Sequence, residues 1–237
     1  MTMITGKVGL LMQISLLKTM NEFSLHSEIK KVYSLPGDQF EVILDSYLVD
    51  ILRGNLAIEV QTKYFSALKE KLLTLTEKYQ LRLVYPLPEM KQITYITKDQ
   101  AVLDKRKSPR KGRLTDLFRE PVMIPHMIGA ENFSLEVLFI DEEEVRCDDG
   151  KGSWRRKGAS IKERKLLKVN DRILFQTKAD YLKILPDILN VVFTNRELAK
   201  LAKISVRTAQ QITYYLRKGD VTRLAGKNGR ELGFQKV

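Results

Sequence analysis

The stretch Tyr47–Thr62 reads YLVDILRGNLAIEVQT. Two strand-like runs, Tyr47–Arg53 and Leu56–Thr62, flank Gly54-Asn55. Glycine supplies the positive φ that a two-residue II′ turn demands, so the stretch predicts a β-hairpin. Arg53 then pairs with Leu56, and counting outward puts Asp50 opposite Glu59 on one face. Their Cβ atoms should stand about 4.5–5.5 Å apart. Gln61, two residues beyond Glu59, points the same way. The remaining positions are apolar on both faces, with Leu48 and Leu52 on one and Val49, Ile51, Ile58 and Val60 on the other. Such strands are usually covered on both sides. Two carboxylates opposed on a partly buried face repel each other and lose hydration. A divalent cation between them relieves both penalties, and oxygen ligands suit Mg²⁺ or Mn²⁺.

Outward from the hairpin, Leu25, Ile29 and Val32 fall at helical spacing, and Leu35-Pro36-Gly37-Asp38 stops that helix. Phe40, Val42 and Leu44 alternate with Glu41, Ile43 and Asp45, the period of a strand. After the hairpin, Phe65, Leu68, Leu72, Leu75 and Tyr79 form one stripe of an amphipathic helix. Leu81–Tyr85 reads as a closing strand, which Pro86 and Pro88 are expected to end. The order is helix, three strands, helix, strand.

In that order, and in its Asp50 and Glu59-Val60-Gln61, residues 21–85 resemble the core of the PD-(D/E)XK, or restriction-endonuclease-like, nuclease superfamily. Asp50 matches the family's Asp and Glu59 its Glu, while Gln61 stands where a lysine is usual. Glu28, on the first helix, matches an acidic residue that many members place beside the metal. The resemblance implies a metal-dependent DNA endonuclease with Mg²⁺ or Mn²⁺ held by Asp50 and Glu59. It implies Gln61, with Lys63 or Lys69 nearby, as the group that orients the attacking water. A neutral amide at position 61 can do only part of what a lysine does there. The whole chain is also similar to uncharacterised bacterial proteins that join such a core to a C-terminal winged helix.

The C-terminal part carries its own signals. Thr194 and Glu197 form a capping box, and Leu198, Leu201 and Ala202 make an apolar stripe. A turn at Lys203-Ile204 leads to Ser205, a second cap, and to a helix over Val206–Lys218 with Ala209, Ile212, Tyr215 and Leu216 inward. Val221–Leu224, a Gly226–Gly229 turn and Glu231–Val237 then read as a hairpin wing. Two helices, a tight turn and a basic hairpin predict a winged helix-turn-helix over residues 179–237. On that reading Ser205, Arg207, Thr208, Gln210, Gln211 and Tyr214 lie on or near the recognition helix. Lys203, Arg207, Arg217 and Lys218 would meet phosphates, with Lys227 and Arg230 on the wing.

Charge points the same way. The chain has 41 Lys and Arg against 29 Asp and Glu; residues 1–100 hold 12 and 11 of these, leaving 29 and 18 in residues 101–237. A concentrated basic excess attracts a polyanion, here DNA. No apolar run is long enough to span a bilayer. Between the two modules, residues 99–178 read as a basic region with strands at Ser134–Ile140 and Arg164–Phe175, a basic loop over Asp104–Arg113 and a solvated acidic run at Asp141–Glu144. Trp154, within Lys151–Gly158, is free either to stack on nucleic acid or to pack in the core. The single Cys147 excludes an internal disulfide and a cysteine-rich zinc site, and His26 and His126 are too few for a histidine-rich one.

The expected fold is therefore α/β (α+β): a nuclease-like αβββαβ core over 20–98, a mixed α/β middle region and a winged helix. Residues 1–19 are expected to be a leader or an expression-derived segment ahead of Met20. No signal-peptide cleavage site follows Val8–Leu17, so the cytoplasm is the expected location. A homodimer would suit an enzyme that cuts both strands. The alternative function is a non-enzymatic DNA-binding transcriptional regulator with an inactive nuclease-like scaffold.

Overall fold

The computed structural model describes residues 24–62, 68–119, 124–187, 189–229 and 231–237. Helix α1 (Ser24–Tyr33) is followed by β1 (Gln39–Leu44), β2 (Tyr47–Arg53) and β3 (Leu56–Val60). Then come α2 (Leu68–Thr76), β4 (Gln80–Ile96), β5 (Val102–Lys107), β6 (Phe133–Cys147) and β7 (Ser160–Phe175). These strands form a mixed sheet in the order β1-β2-β3-β4-β6-β7, with β5 paired to β4. Short β8 (Val192–Thr194), α3 (Asn195–Ala202), α4 (Val206–Lys218), β9 (Thr222–Asn228) and β10 (Glu231–Lys236) follow. The last three strands make a second, antiparallel sheet in the order β8-β10-β9.

The chain gathers into two compact units, each built from separated segments. One contains the described residues up to Thr62, with Pro88–Lys111 and Phe139–Asp171; the other contains the described residues up to Leu87 that follow, with Gly112–Leu138 and Arg172–Val237.

In the first unit, the hairpin has the expected register: Ile51↔Ile58, Leu52↔Ala57 and Arg53↔Leu56. Gly54 has φ +56°, and Asn55 is not among the positive-φ residues, as a II′ turn requires. Leu25, Ile29 and Tyr33 are the buried stripe of α1, while Val32 is exposed. Asp38 accepts from both Nε and Nη2 of Arg53, and the Arg53 guanidinium holds the Asp38 carboxyl down at about 2. Arg53 also donates to the carbonyl of Tyr33, which ties the end of α1 to β2.

Two expectations about the strands fail. Strand β4 does not stop at Pro86 and Pro88 but continues to Ile96. Successive strand amides point to opposite edges, so the two prolines leave their missing donors on one edge only, which a strand tolerates where that edge makes no ladder. The basic stretch from Asp104 is not a loop at its start: Val102–Lys107 is strand β5, with Gln92↔Lys107 and Tyr95↔Asp104 among its pairs with β4. All six residues are exposed, and the charges suit an unprotected strand.

The acidic run Asp141–Glu144 is also not a solvated strand end. Glu142 and Glu144 are both buried on β6. Lys91 of β4 stands 2.6 Å from Glu142 and 3.1 Å from Glu144, and Arg164 of β7 stands 3.2 Å from Glu144. Arg146 completes the cluster with two contacts to Glu144, at 2.7 Å and 2.6 Å, and a bond to the Tyr95 hydroxyl. Cations from three strands thus replace the water these carboxylates lose.

In the second unit, both helix caps form as expected. Thr194 and Glu197 bond each other's backbone N–H, and Ser205 Oγ accepts from the Thr208 N–H. Lys203 turns the chain at φ +52° between α3 and α4. Ala209, Ile212 and Leu216 are fully buried. Helix α4 and the residue after it meet the region expected to be the middle one: the Phe118 ring lies 5.8 Å from that of Tyr215, and a Cβ on Gly219 would fall 2.7 Å from the Ile128 side chain. Strand β9 is longer than expected, running to Asn228 through Gly226 at φ +96°.

Candidate functional site

The first candidate site lies where α1 faces β1, β2 and β3. The pairs Phe40↔Ile51 and Val42↔Val49 flank Glu41 and Asp50, and the pair Ile51↔Ile58 adjoins Asp50 and Glu59. Glu41, Asp50 and Glu59 thus lie on three neighbouring strands, each next to a paired position. Asp50 and Glu59 are buried and Glu41 is partly buried. Glu41 has φ +54°, a left-handed conformation that a glutamate adopts at a cost of about 1–3 kcal/mol.

Helix α1 meets this row with residues four apart, hence on one helical face. His26 Nε2 lies 3.1 Å from Asp50 Oδ2 and 2.9 Å from the Val60 carbonyl oxygen. Lys30 pairs with Glu41. Asp50 Oδ2 also accepts from the Val60 N–H at 2.8 Å, which fixes the carboxylate against β3. Glu28 is turned elsewhere: its Oε2 accepts from the Leu166 N–H of β7. Gln61 follows β3 at a half-buried position, and Lys69 is exposed on α2. Lys63 and Arg230 lie outside the described residues. Sequence reading did not assign His26 or Glu41 to the site. Asp45-Ser46, the tight turn between β1 and β2, carried the signal for Glu41, because it sets the β1 register. Among the described residues, no group of three or more His, Cys, Asp and Glu side chains is arranged to hold a metal ion together.

The second candidate site is the outer face of α4. Arg207, Gln210, Tyr214 and Lys218 are exposed and Gln211 and Arg217 half-buried, and spacings of three and four residues put the first five of these on one stripe. Ser205 and Lys227 are exposed as well. Thr208 departs from its expected place at the surface. It is 3% exposed, and Ser205 Oγ and Thr208 Oγ1 lie 2.9 Å apart, because position 208 falls on the inward side of the helix beside Ala209 and Ile212. Arg113 bonds the Lys203 carbonyl, so the turn between the helices is braced by a residue 90 positions away in sequence.

The family DUF8091, described as a domain of unknown function, matches residues 23–176. The chain belongs to that family. The DUF8091 segment runs from the start of α1 to the end of β7, so it contains the whole carboxylate row and the buried Glu142–Glu144 cluster. An uncharacterized protein of Treponema pallidum (strain Nichols) is 29% identical over 222 residues, 93% of this chain and 87% of the relative. That likeness is longer than the DUF8091 segment and reaches into the α3–α4 region. No solved structure matches the chain. No helix among the described residues is long and apolar enough to cross a membrane.

Proposed function

We propose that this chain is a DNA-binding protein that hydrolyses phosphodiester bonds at the carboxylate row of its first unit. The observation that carries the reading is a buried Asp50 held by His26 of α1 and by the Val60 N–H, with buried Glu59 on the next strand and Glu41 paired to Lys30. Packing carboxylates side by side away from water is costly unless cations face them. A fold that keeps the arrangement, at the further cost of a strained Glu41, is using it.

The donor set suits Mg²⁺ or Mn²⁺. Asp50 Oδ2 and the Val60 carbonyl are hard oxygens that both meet His26 Nε2, so an ion shared by them would displace that contact. Asp50 and Glu59 would hold the ion. When bound, it supplies activation of a water nucleophile and charge stabilisation at the leaving oxygen. The Val60 N–H keeps Asp50 oriented, His26 holds or moves a proton at Nε2, and Gln61 orients water through its amide. Glu28, engaged with Leu166, supports β7 rather than the ion.

The grip on DNA belongs to α4, read as the recognition helix of a winged helix-turn-helix in which α3, the Lys203 turn and the β9–β10 hairpin are the other parts. Arginine, glutamine and tyrosine along one exposed stripe are side chains that bond base edges and phosphates. Lys218 and Lys227 add phosphate contacts.

One observation favours a non-enzymatic regulator instead: Asp50 Oδ2 already bonds His26 and the Val60 N–H. The test is plasmid cleavage with Mg²⁺ or Mn²⁺ by the native chain, Asp50→Ala and Glu59→Ala, with duplex binding measured in parallel. Cleavage lost in both variants while binding persists is the expected result. Cleavage that survives in both removes the site assignment, and binding without cleavage under either ion selects the regulator.

A further inference from the structure

We propose that the loop between β6 and β7 is a nucleic-acid finger whose Trp154 stacks on an unpaired base of single-stranded DNA; this extends the DNA-binding reading to a second surface. Trp154 is 84% exposed. An indole so far from any core is not the default of a folded chain.

The loop that carries it is built from within. Gly152 N–H donates to Gly158 O at 2.6 Å, and Gly158 N–H donates to Ser153 O at 3.2 Å. Arg156 Nε donates to Ala159 O at 3.1 Å. The two limbs touch at Gly152, where a Cβ would fall 1.7 Å from the Ala159 oxygen. Trp154–Arg156 forms one 3-10 turn, closed by Lys157 at φ +53°. The ring is thus presented by an ordered scaffold, which lowers the entropy lost when it binds.

The surroundings fit a phosphate backbone. Lys151, Arg155 and Lys157 are exposed, and the Arg155 guanidinium carbon lies 5.8 Å from the Trp154 ring centroid. Of the loop's two acids, Asp148 is exposed, whereas Asp149 is drawn inward by Ser160 at 2.7 Å, Lys162 at 3.0 Å and the Lys151 N–H at 3.1 Å, and the cations outnumber them. Asp148 N–H donates to Ile96 O at 3.1 Å, so the loop starts beside the end of β4. From there the chain passes exposed Lys98 into β5, with Lys105, Arg106 and Lys107 exposed. An aromatic platform amid a strip of cations is the pattern that binds single strands: the cations follow phosphates and the ring takes a base face. Duplex bases are already stacked and offer no such face.

Trp154 is the only tryptophan of the chain, so intrinsic fluorescence reports this position alone. The full chain is titrated with oligo(dT), with a matched duplex and with phosphatidylserine vesicles. Oligo(dT) should quench the emission. Trp154→Ala should weaken oligo(dT) binding by about 5- to 100-fold, Trp154→Phe should recover much of the loss, and duplex affinity should stay unchanged. Oligo(dT) that fails to bind, or binds with unaltered emission and equal affinity for Trp154→Ala, overturns the finger, as does quenching by vesicles alone. Duplex binding without any tryptophan response removes the finger and leaves the α4 reading. A tryptophan response to oligo(dT) without duplex binding does the reverse.

Discussion

Replacing Lys91 with Met tests whether the first unit's sheet depends on its buried charges. The Glu142 and Glu144 side chains are 1% and 2% exposed, and Lys91 bridges them from β4. Glu144 keeps Arg164 and Arg146 when the ammonium is removed, whereas the ion pair shown for Glu142 among the described residues is the one with Lys91. Breaking a buried pair by removing one partner costs about 3–5 kcal/mol, and the partial exposure of Lys91 lowers the expectation to about 2–4 kcal/mol. That is a large part of a domain's usual stability of about 5–15 kcal/mol. Urea unfolding followed by far-UV circular dichroism at pH 7 measures it.

Acid supplies the control. Burial works to raise the Glu144 carboxyl, but Lys91, Arg164 and Arg146 together hold it below its ordinary 4.5. A depressed carboxyl contributes stability above its unfolded value, and that stability is lost as pH falls through the folded one. Lys91→Met removes one of the cations that hold Glu144 down, so the deficit of the variant should shrink as pH falls from 7 toward 4. Lys91→Met/Glu142→Gln should recover part of the pH 7 loss. A deficit under about 1 kcal/mol at pH 7, or one of equal size at both pH values, refutes the reasoning.

Two other measurements address the second unit. Thr194→Ala removes one half of the capping box and should cost about 1 kcal/mol in urea unfolding, with Thr194→Ser close to native. Arg207→Ala and Lys218→Ala should each lower duplex affinity and reduce the salt slope of log K by about 1, whereas Thr208→Val, a change on the inward side, should leave that slope alone.

Much of the local structure was legible in the chain because it is decided by near neighbours. Thr194 and Glu197 cap each other across three residues, and Ser205 caps α4 in the same way. Gly54 sets the hairpin turn, and the turn sets the register that runs from Arg53↔Leu56 to Ile51↔Ile58, beside Asp50 and Glu59. The same reasoning, carried one strand further through Asp45-Ser46, would have added Glu41 to the row.

What the tertiary structure alone decided involves partners far apart in sequence. His26 reaches Asp50 across 24 residues, and Glu28 leaves the row because the Leu166 N–H, 138 residues away, takes its carboxylate. Glu142 and Glu144 read as surface acids until β4 and β7 bring Lys91 and Arg164 to them. Helix spacing named the residues near the α4 surface, but Thr208 turned inward beside its own cap. Periodicity and turn chemistry act over a few residues and can be read along the chain. Burial and ion pairing are properties of a site in space, so the desolvation that makes an isolated carboxylate costly, and the cation that offsets it, exist only once the strands have met.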